Sequence, residues 1–316
     1  MNRRVINKIL TKKHNDFIAS IEDKEIKKLI DENSIITGGS IASLLLKEKI
    51  NDYDYYFTNK ETVIAVAKYY VNKFNETHKD KTYLTTTKLR EPIVEVEEDR
   101  VKIVVPSAGI TGEQDTNNYQ YFEQLPNEVG EEFVEKVIEK ADETDSKPME
   151  EIDKDKGKYR VIFMSSNAIT LSNKVQLVLR FYGDPEEIHK NYDFAHCCNY
   201  WTSKDKHLVL NSMALESLLS KQLQYQGSLY PVCSVIRTRK FLRQGWYINA
   251  GQYLKMCFQI SELNLSDIRV LEEQLTGVDA AYFHQVIEYC KKKQNEDNNF
   301  KVTAPYLVSI IDKIFG

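Results

Sequence analysis

Long apolar runs are missing from this 316-residue sequence. No stretch approaches the roughly eighteen consecutive apolar residues of a membrane-spanning helix. The start, MNRRVINKILTKKHNDF, has neither an apolar signal core nor a small-residue cleavage site. No membrane partner is therefore expected, and the expected setting is the cytoplasm. Cysteine is sparse: Cys197, Cys198, Cys233, Cys257 and Cys290 form an odd set with no CxxC spacing. That pattern fits reduced packing thiols better than a disulfide framework or a zinc site. Internal repeats are absent, and acidic residues are missing from 217–261, which carries six bases: Lys221, Arg237, Arg239, Lys240, Arg243 and Lys255.

What is there reads as an ordered, soluble chain, with 42% hydrophobic, 28% charged and 11% aromatic residues. The length suits one large domain or two ordinary ones. The net charge of -4 is unevenly spread. Between Gly112 and Lys156 fifteen Asp/Glu face five Lys/Arg, a local balance of -10 that leaves +6 for the remainder. This segment reads as an acidic surface insertion around 112–156, with one helix expected at 131–140.

Apolar spacing predicts a helix over Val5 to Asp31, a strand at Ser34–Thr37, a Gly38-Gly39 turn, and a helix over Ser40–Lys49. A strand at Tyr53–Phe57 and a helix over Glu61–Phe74 follow, and strand-like runs at Ile93–Val96 and Val101–Val105 are expected to continue the sheet. The runs YRVIFM, AITL, VQLVLRF and YDFAHCCNYW should complete it, interrupted by a short helix at DPEEIHKN whose His189 reads as a surface residue. Beyond Leu215 the pattern is helical, with breaks at Gly227–Tyr230, Gly245–Asn249 and Leu263–Ser266. The expected fold class is α+β: a mixed sheet with flanking helices over 1–210, then an all-helical C-terminal domain over 211–316.

The segment IITGGSIASLLLKEKINDYDYYF carries the chemistry. Residues two apart on a strand share a face, so Asp52 and Asp54 would set two carboxylates side by side, which is costly unless a cation intervenes. Mg²⁺ or Mn²⁺ suits such oxygen donors and commonly shares one or two carboxylates with substrate phosphates. Tyr53, Tyr55 and Phe57 would face the core. Upstream, Gly38 and Gly39 let the backbone approach a phosphate, while Ser40 and the first amides of the helix offer donors. An NTP triphosphate would sit there, and two ions roughly 4 Å apart would activate the acceptor oxygen and stabilise the leaving pyrophosphate.

Gly39-Ser40, the eleven-residue spacer Ile41 to Asn51, and Asp52-Tyr53-Asp54 together resemble the signature of the DNA polymerase β-like nucleotidyltransferase superfamily. The resemblance covers about twenty residues; it specifies the nucleotidyltransferase fold and hardly specifies the acceptor. It implies a third carboxylate on a later strand, for which Asp193 in Tyr192-Asp193-Phe194 is the best match and Glu95 and Glu97 are rivals. The run VQLVLRFYGDPEEIHKNYDFAHC is similar to divergent nucleotidyltransferase-like proteins, including phage-encoded ones, in which a Gln-bearing strand and a short helix precede an FDF-like strand. His196, with Cys197, Cys198 and His207, makes a poor zinc set, because neighbours on a strand point to opposite faces.

Arg237, Lys240 and Arg243 fall at spacings of three on a helix, a basic face suited to polyphosphate or nucleic-acid backbone. Tyr225, Tyr230, Trp246, Tyr247 and Tyr253 could stack bases or fill a core. The run IRTRKFLRQGWYI is loosely similar to the post-catalytic helix of CCA-adding and bacterial poly(A) polymerases, with its aromatic-to-Gly spacing one residue short. The implied activity is metal-dependent transfer of a nucleoside monophosphate from an NTP to an acceptor, most readily RNA such as a tRNA 3′ end. A protein hydroxyl or a small molecule stays open as acceptor. The alternative is a non-enzymatic regulatory or virion component using the same scaffold.

Overall fold

The computed structural model describes residues 2–77, 91–98, 100–105, 110–111, 158–275, 284–297 and 300–315. The acidic segment 112–156, with its expected helix, lies outside them. The described residues fall into two compact units: one takes the residues up to 111 with 158–192 and 196–219, the other 193–195 and 220–315.

In the first unit the single opening helix expected from the sequence is two, α1 (Arg3–Ala19) and α2 (Lys24–Asn33). The break has a local cause. Ser20 turns its hydroxyl back onto the Phe17 carbonyl, and Asp23 then caps α2 by accepting from the amides of Glu25 and Ile26 at 2.8 and 3.0 Å. Helix α3 (Gly39–Leu46) stops short of its expected end because Lys47 adopts a left-handed conformation, φ 62°. Helix α4 (Lys60–Thr77) runs slightly longer than its apolar stripe indicated.

Eight strands form one sheet: β1 (Ser34–Thr37), β2 (Tyr53–Phe57), β5 (Ile110–Thr111), β6 (Val161–Met164), β7 (Ala168–Leu171), β8 (Val175–Tyr182), β9 (Tyr200–Thr202) and β10 (His207–Val209). Their order is β10-β9-β1-β2-β8-β7-β6-β5. Only β2 and β8 pair in parallel, so the sheet is mixed, as expected. β3 (Ile93–Val96) and β4 (Val101–Val104) do not continue it; they form a separate antiparallel pair. Lys102 explains part of this preference: its ammonium joins Glu95 and Glu97 across the hairpin.

Strand alternation partitions β2 cleanly. Tyr53, Tyr55 and Phe57 enter the main core with Ile6, Leu10 and Phe17 of α1 and Ile41 of α3. Each fully buried side chain of this size contributes about 1.5–3 kcal/mol. The opposite face carries a smaller core, Ile35, Tyr56 and Val178, capped by Ile188 of α5 (Pro185–His189). Asp54 shares this second face. From Ser212 onward the described elements are all helices: α6 (Ser212–Ser220), α7 (Pro231–Arg243), α8 (Ala250–Ser261), α9 (Ile268–Leu275), α10 (His284–Glu296) and α11 (Ala304–Phe315). In the second unit Ile268, Leu271, Leu275, Val286, Ile287 and Ile310 form a separate core.

Candidate active site

The site grows from the end of β1. Thr37 pairs in register with Asp54 on one side and with Tyr200 on the other, and Asp54 pairs in turn with Gln176 of β8. In-register neighbours share a face, so Thr37, Asp54 and Gln176 make a polar row crossing three strands. Asp54 and Gln176 are partly exposed, while Thr37 is buried.

Immediately after Thr37 the chain turns at Gly38, with φ +83° and ψ -153°, a conformation that only glycine adopts readily. Space demands glycine there as well. A Cβ on Gly38 would lie 2.5 Å from Asp54 Oδ2 and 3.5 Å from the Tyr192 hydroxyl oxygen. The turn is tied down by the Gly38 amide, which donates to the Cys197 carbonyl at 3.1 Å. Gly39 opens α3 with open space where a Cβ would go, so nothing in the fold requires glycine at that position. Ser40 is buried, and its hydroxyl turns toward the Thr37 carbonyl at 3.4 Å.

His189 is not a surface residue. Its Nε2 lies 2.8 Å from Thr37 Oγ1, and its ring stands 5.1 Å from that of Tyr192 and 5.7 Å from that of Tyr200. Burial pushes its imidazole down to about 4, so it is neutral at physiological pH. The Thr37 hydroxyl has a carbonyl acceptor, Asn199, at 2.9 Å. A hydroxyl that donates there accepts from His189, which assigns the proton to Nε2. The Tyr192 phenol is also held neutral, raised well above its ordinary value by burial first and then by Tyr56 and Asp54. Neutral groups thus flank the carboxylate and fix the backbone around it.

Asp52 lies one residue before β2 rather than within it, and is partly exposed. The donors fit a hard divalent cation: two carboxylates, one lodged against a glycine cradle that a Cβ would fill. Such an ion supplies charge neutralisation and polarises phosphoryl oxygens.

The remaining predicted residues are placed differently. Tyr192 to Trp201 is not a continuous strand: 195–197 is a 3-10 turn, and β9 begins only at Tyr200. Asp193 therefore sits on no strand. It belongs to the second unit, where Phe194 forms an isolated bridge with Tyr225 and the Gln226 amide donates to the Asp193 carbonyl at 2.9 Å. Its carboxylate receives Arg237 Nη1 at 2.8 and 2.7 Å, the side chains being 8% and 21% exposed. Thus Asp193 and Arg237, expected to hold metal and nucleotide respectively, hold each other. Glu95 and Glu97 are engaged with Lys102, and Glu97 also with Arg100 at 2.7 Å. Bonds from Lys102 and then Arg100 bring the Glu97 carboxyl down to about 2. Among the described residues no three His, Cys, Asp or Glu side chains gather as a metal cluster.

Lys240 and Arg243 are exposed on α7. Tyr225, Tyr230 and Trp246 are buried, whereas Tyr247 is half exposed. His196 is buried and its imidazole lowered to about 3 by that burial. None of the five cysteines is in a disulfide, and Cys257 is exposed rather than packed.

The Arg237–Asp193 pair makes a stability prediction. Removing one partner of a buried ion pair costs about 3–5 kcal/mol. Partial exposure of Arg237 puts Arg237→Ala toward about 3 kcal/mol, and Asp193→Asn, which retains an acceptor, below that. Urea unfolding followed by circular dichroism measures both; a loss under about 0.5 kcal/mol for Arg237→Ala would show the pair to be a surface contact.

A mixed sheet whose parallel-paired strand sets a carboxylate against a two-glycine helix start defines the class: an α+β protein with an acidic, glycine-gated site and a separate helical unit. The family model described as "Gad2: Gabija anti-defense 2 family protein" matches residues 8–221. The chain belongs to the Gabija anti-defense 2 family.

A curated relative, "Gabija anti-defense 2" of Bacillus phage SPbetaL7, is 19% identical over 140 residues, 44% of this chain and 34% of the relative. The aligned stretch thus spans about a third of that relative's length. Among solved structures, the Thermotoga maritima CCA-adding enzyme complexed with tRNA matches at a TM-score of 0.36 and 8% identity, over 95% of this chain and 53% of that one. A tRNA nucleotidyltransferase complexed with a primer tRNA and an incoming ATP analog gives 0.33 and 12%, over 90% and 65%. A tRNA-processing enzyme with CTP gives 0.34 and 11%, over 89% and 59%. At these TM-scores the likenesses assign no activity to this chain.

Proposed function

We propose that this protein is a divalent-metal-dependent nucleotidyltransferase, moving a nucleoside monophosphate from an NTP to an acceptor. The observation that carries the reading is the lodging of Asp54 against Gly38, where a carboxylate, a glycine turn and the start of α3 converge. In this reading Asp52 and Asp54 hold Mg²⁺ or Mn²⁺, and Gly38, Gly39 and the first amides of α3 receive the triphosphate. Thr37, fixed by His189, holds the turn in place. The protein's own work is to position and neutralise, as phosphoryl transfer requires.

Asp193 would join the metal site only by giving up Arg237. Residues 1–210 form the catalytic part, with the acidic insertion, and 211–316 form a helical part that receives the acceptor through Lys240 and Arg243. RNA is the favoured acceptor, and the family's description places the reaction against a bacterial defence, in the host cytoplasm.

A second reading is a non-enzymatic member that acts by binding. It is favoured by the commitment of Asp193 to Arg237. One experiment separates the two: incubation of the full chain with each labelled NTP, Mg²⁺ or Mn²⁺, and either total RNA or total protein from a susceptible bacterium. Label entering the RNA fraction in a chelator-sensitive way supports the first reading. Metal-dependent NTP binding with no labelled product in either fraction overturns it in favour of the second.

A further inference from the structure

The helical unit contains a groove of about 380 Å³ that the transferase reading leaves unused. One wall is α8, which presents Lys255, Phe258, Gln259 and Glu262 at spacings of three and four, hence on one face. The other wall is the loop of Tyr225, Gln226 and Gly227. This loop is clamped to the helix by side chains. The Tyr225 amide donates to Gln252 Oε1 at 2.9 Å, the Tyr225 hydroxyl donates to Gln259 Oε1, and Gln259 Nε2 donates to the Ser228 carbonyl at 2.7 Å. The groove is therefore pre-formed, and Gly227, at φ +107° with no atom near a would-be Cβ, leaves it open.

Three features of its lining point to one kind of ligand. The Phe258 ring is 70% exposed, a large apolar surface left in water beside a polar groove. The Lys255 ammonium donates to the Tyr225 carbonyl at 3.4 Å and to Gln252 Oε1 at 3.2 Å, and it makes no ion pair among the described residues. Two of its three protons are thus used to aim the third outward. Glu262 closes the row, its carboxylate without a side-chain partner among the described residues. The segment 217–261 has no acidic residue, so the local field favours an anion near Lys255 and a hydrogen-bond donor only at the Glu262 end.

We propose that this groove binds a nucleoside monophosphate unit whose base carries an exocyclic amine. The base stacks on Phe258, the phosphate meets Lys255, and the amine donates to Glu262. The separation fits: Lys255 and Glu262 are roughly 10 Å apart along the helix at 1.5 Å per residue, comparable to the reach of a nucleotide from its 5′-phosphate to its base amine. A flat ring beside a cation and amide groups is the arrangement by which proteins hold single nucleotides without reading a duplex. The site stands independently of the transferase reading, since it uses neither Asp52 nor Asp54.

The test is calorimetric titration of the full chain with AMP, IMP, adenosine and inorganic phosphate, without added metal. IMP replaces the amine of AMP by a carbonyl and alters little else. AMP is expected to bind at least about tenfold more tightly than IMP, and Glu262→Gln is expected to erase that preference. Phe258→Ala should weaken AMP about tenfold or more while Phe258→Tyr retains it; Lys255→Met should weaken AMP and leave adenosine unchanged. Because Phe258 is exposed, its replacement leaves the fold intact. Equal affinity for AMP and IMP, or AMP binding indifferent to Phe258→Ala, overturns the proposal. AMP binding that survives in the Asp52→Ala/Asp54→Ala chain supports a site separate from the proposed transferase centre; loss of binding in that chain overturns it.

Discussion

Replacing Asp52 and Asp54 together with alanine is expected to lower metal-dependent nucleotide transfer by roughly a thousandfold or more while leaving the protein folded. A cation held by these carboxylates would be worth several kcal/mol at the transition state, and each ~1.4 kcal/mol is a factor of ten in rate. The fold has little to lose. Both aspartates are partly exposed, and β2 is anchored by Tyr53, Tyr55 and Phe57 on its other face. Removing two neighbouring like charges relieves repulsion, so the urea midpoint should stay level or rise. Transfer assays must therefore be read beside unfolding curves and a direct titration with Mn²⁺. Equal transfer by the parent and the double variant ends the proposed mechanism; loss of transfer with unchanged Mn²⁺ affinity would move the metal elsewhere.

Gly38→Ala should be nearly as severe, for a different reason. At φ +83° and ψ -153° an L-residue is strained by about 1–3 kcal/mol. The new Cβ would also stand 2.5 Å from Asp54 Oδ2, so the carboxylate or the turn must move. A displacement of about 1 Å at a reacting centre can cost around a hundredfold in rate. The neighbouring glycine supplies the control. Gly39 is helical with open space at its Cβ position, so Gly39→Ala should leave stability unchanged or raise it by up to about 1 kcal/mol. If Gly39→Ala keeps the fold yet depresses transfer, the open space belongs to the substrate. Full activity in Gly38→Ala would remove the turn from the mechanism.

The elements around this turn were legible because their signals are local. β1 and β2 were readable from short apolar runs with turn residues between them, and both end where the sequence indicated. The Gln-bearing strand was visible too, though not that register would set Gln176 beside Asp54. Misreadings cluster where partners are distant. Tyr192-Asp193-Phe194 alternates like a strand, but Phe194 finds its backbone partner at Tyr225 and Asp193 finds Arg237, contacts that no spacing announces. His189 lies on a five-residue helix, too short for periodicity to distinguish its inner face from its outer one. The break between α1 and α2 was readable in principle, since Asp23 followed by Lys24-Glu25 is a start signal. Apolar spacing continuing through Ile21 and Ile26 concealed it.

The bonds that hold the glycine turn also set when the site can exist. Thr37 reaches His189, 152 residues later, and Asn199, 162 residues later, while Gly38 reaches Cys197. Contacts of such sequence separation are slow to form. On a ribosome adding roughly 5–20 residues per second, Gly38 emerges on the order of ten to thirty seconds before its partners are made. Throughout that interval the nascent chain carries both aspartates without a fixed turn to serve them. A product truncated before Cys197 would never gain one, so whatever chemistry the site performs is confined to chains whose synthesis has passed the last strands of the sheet.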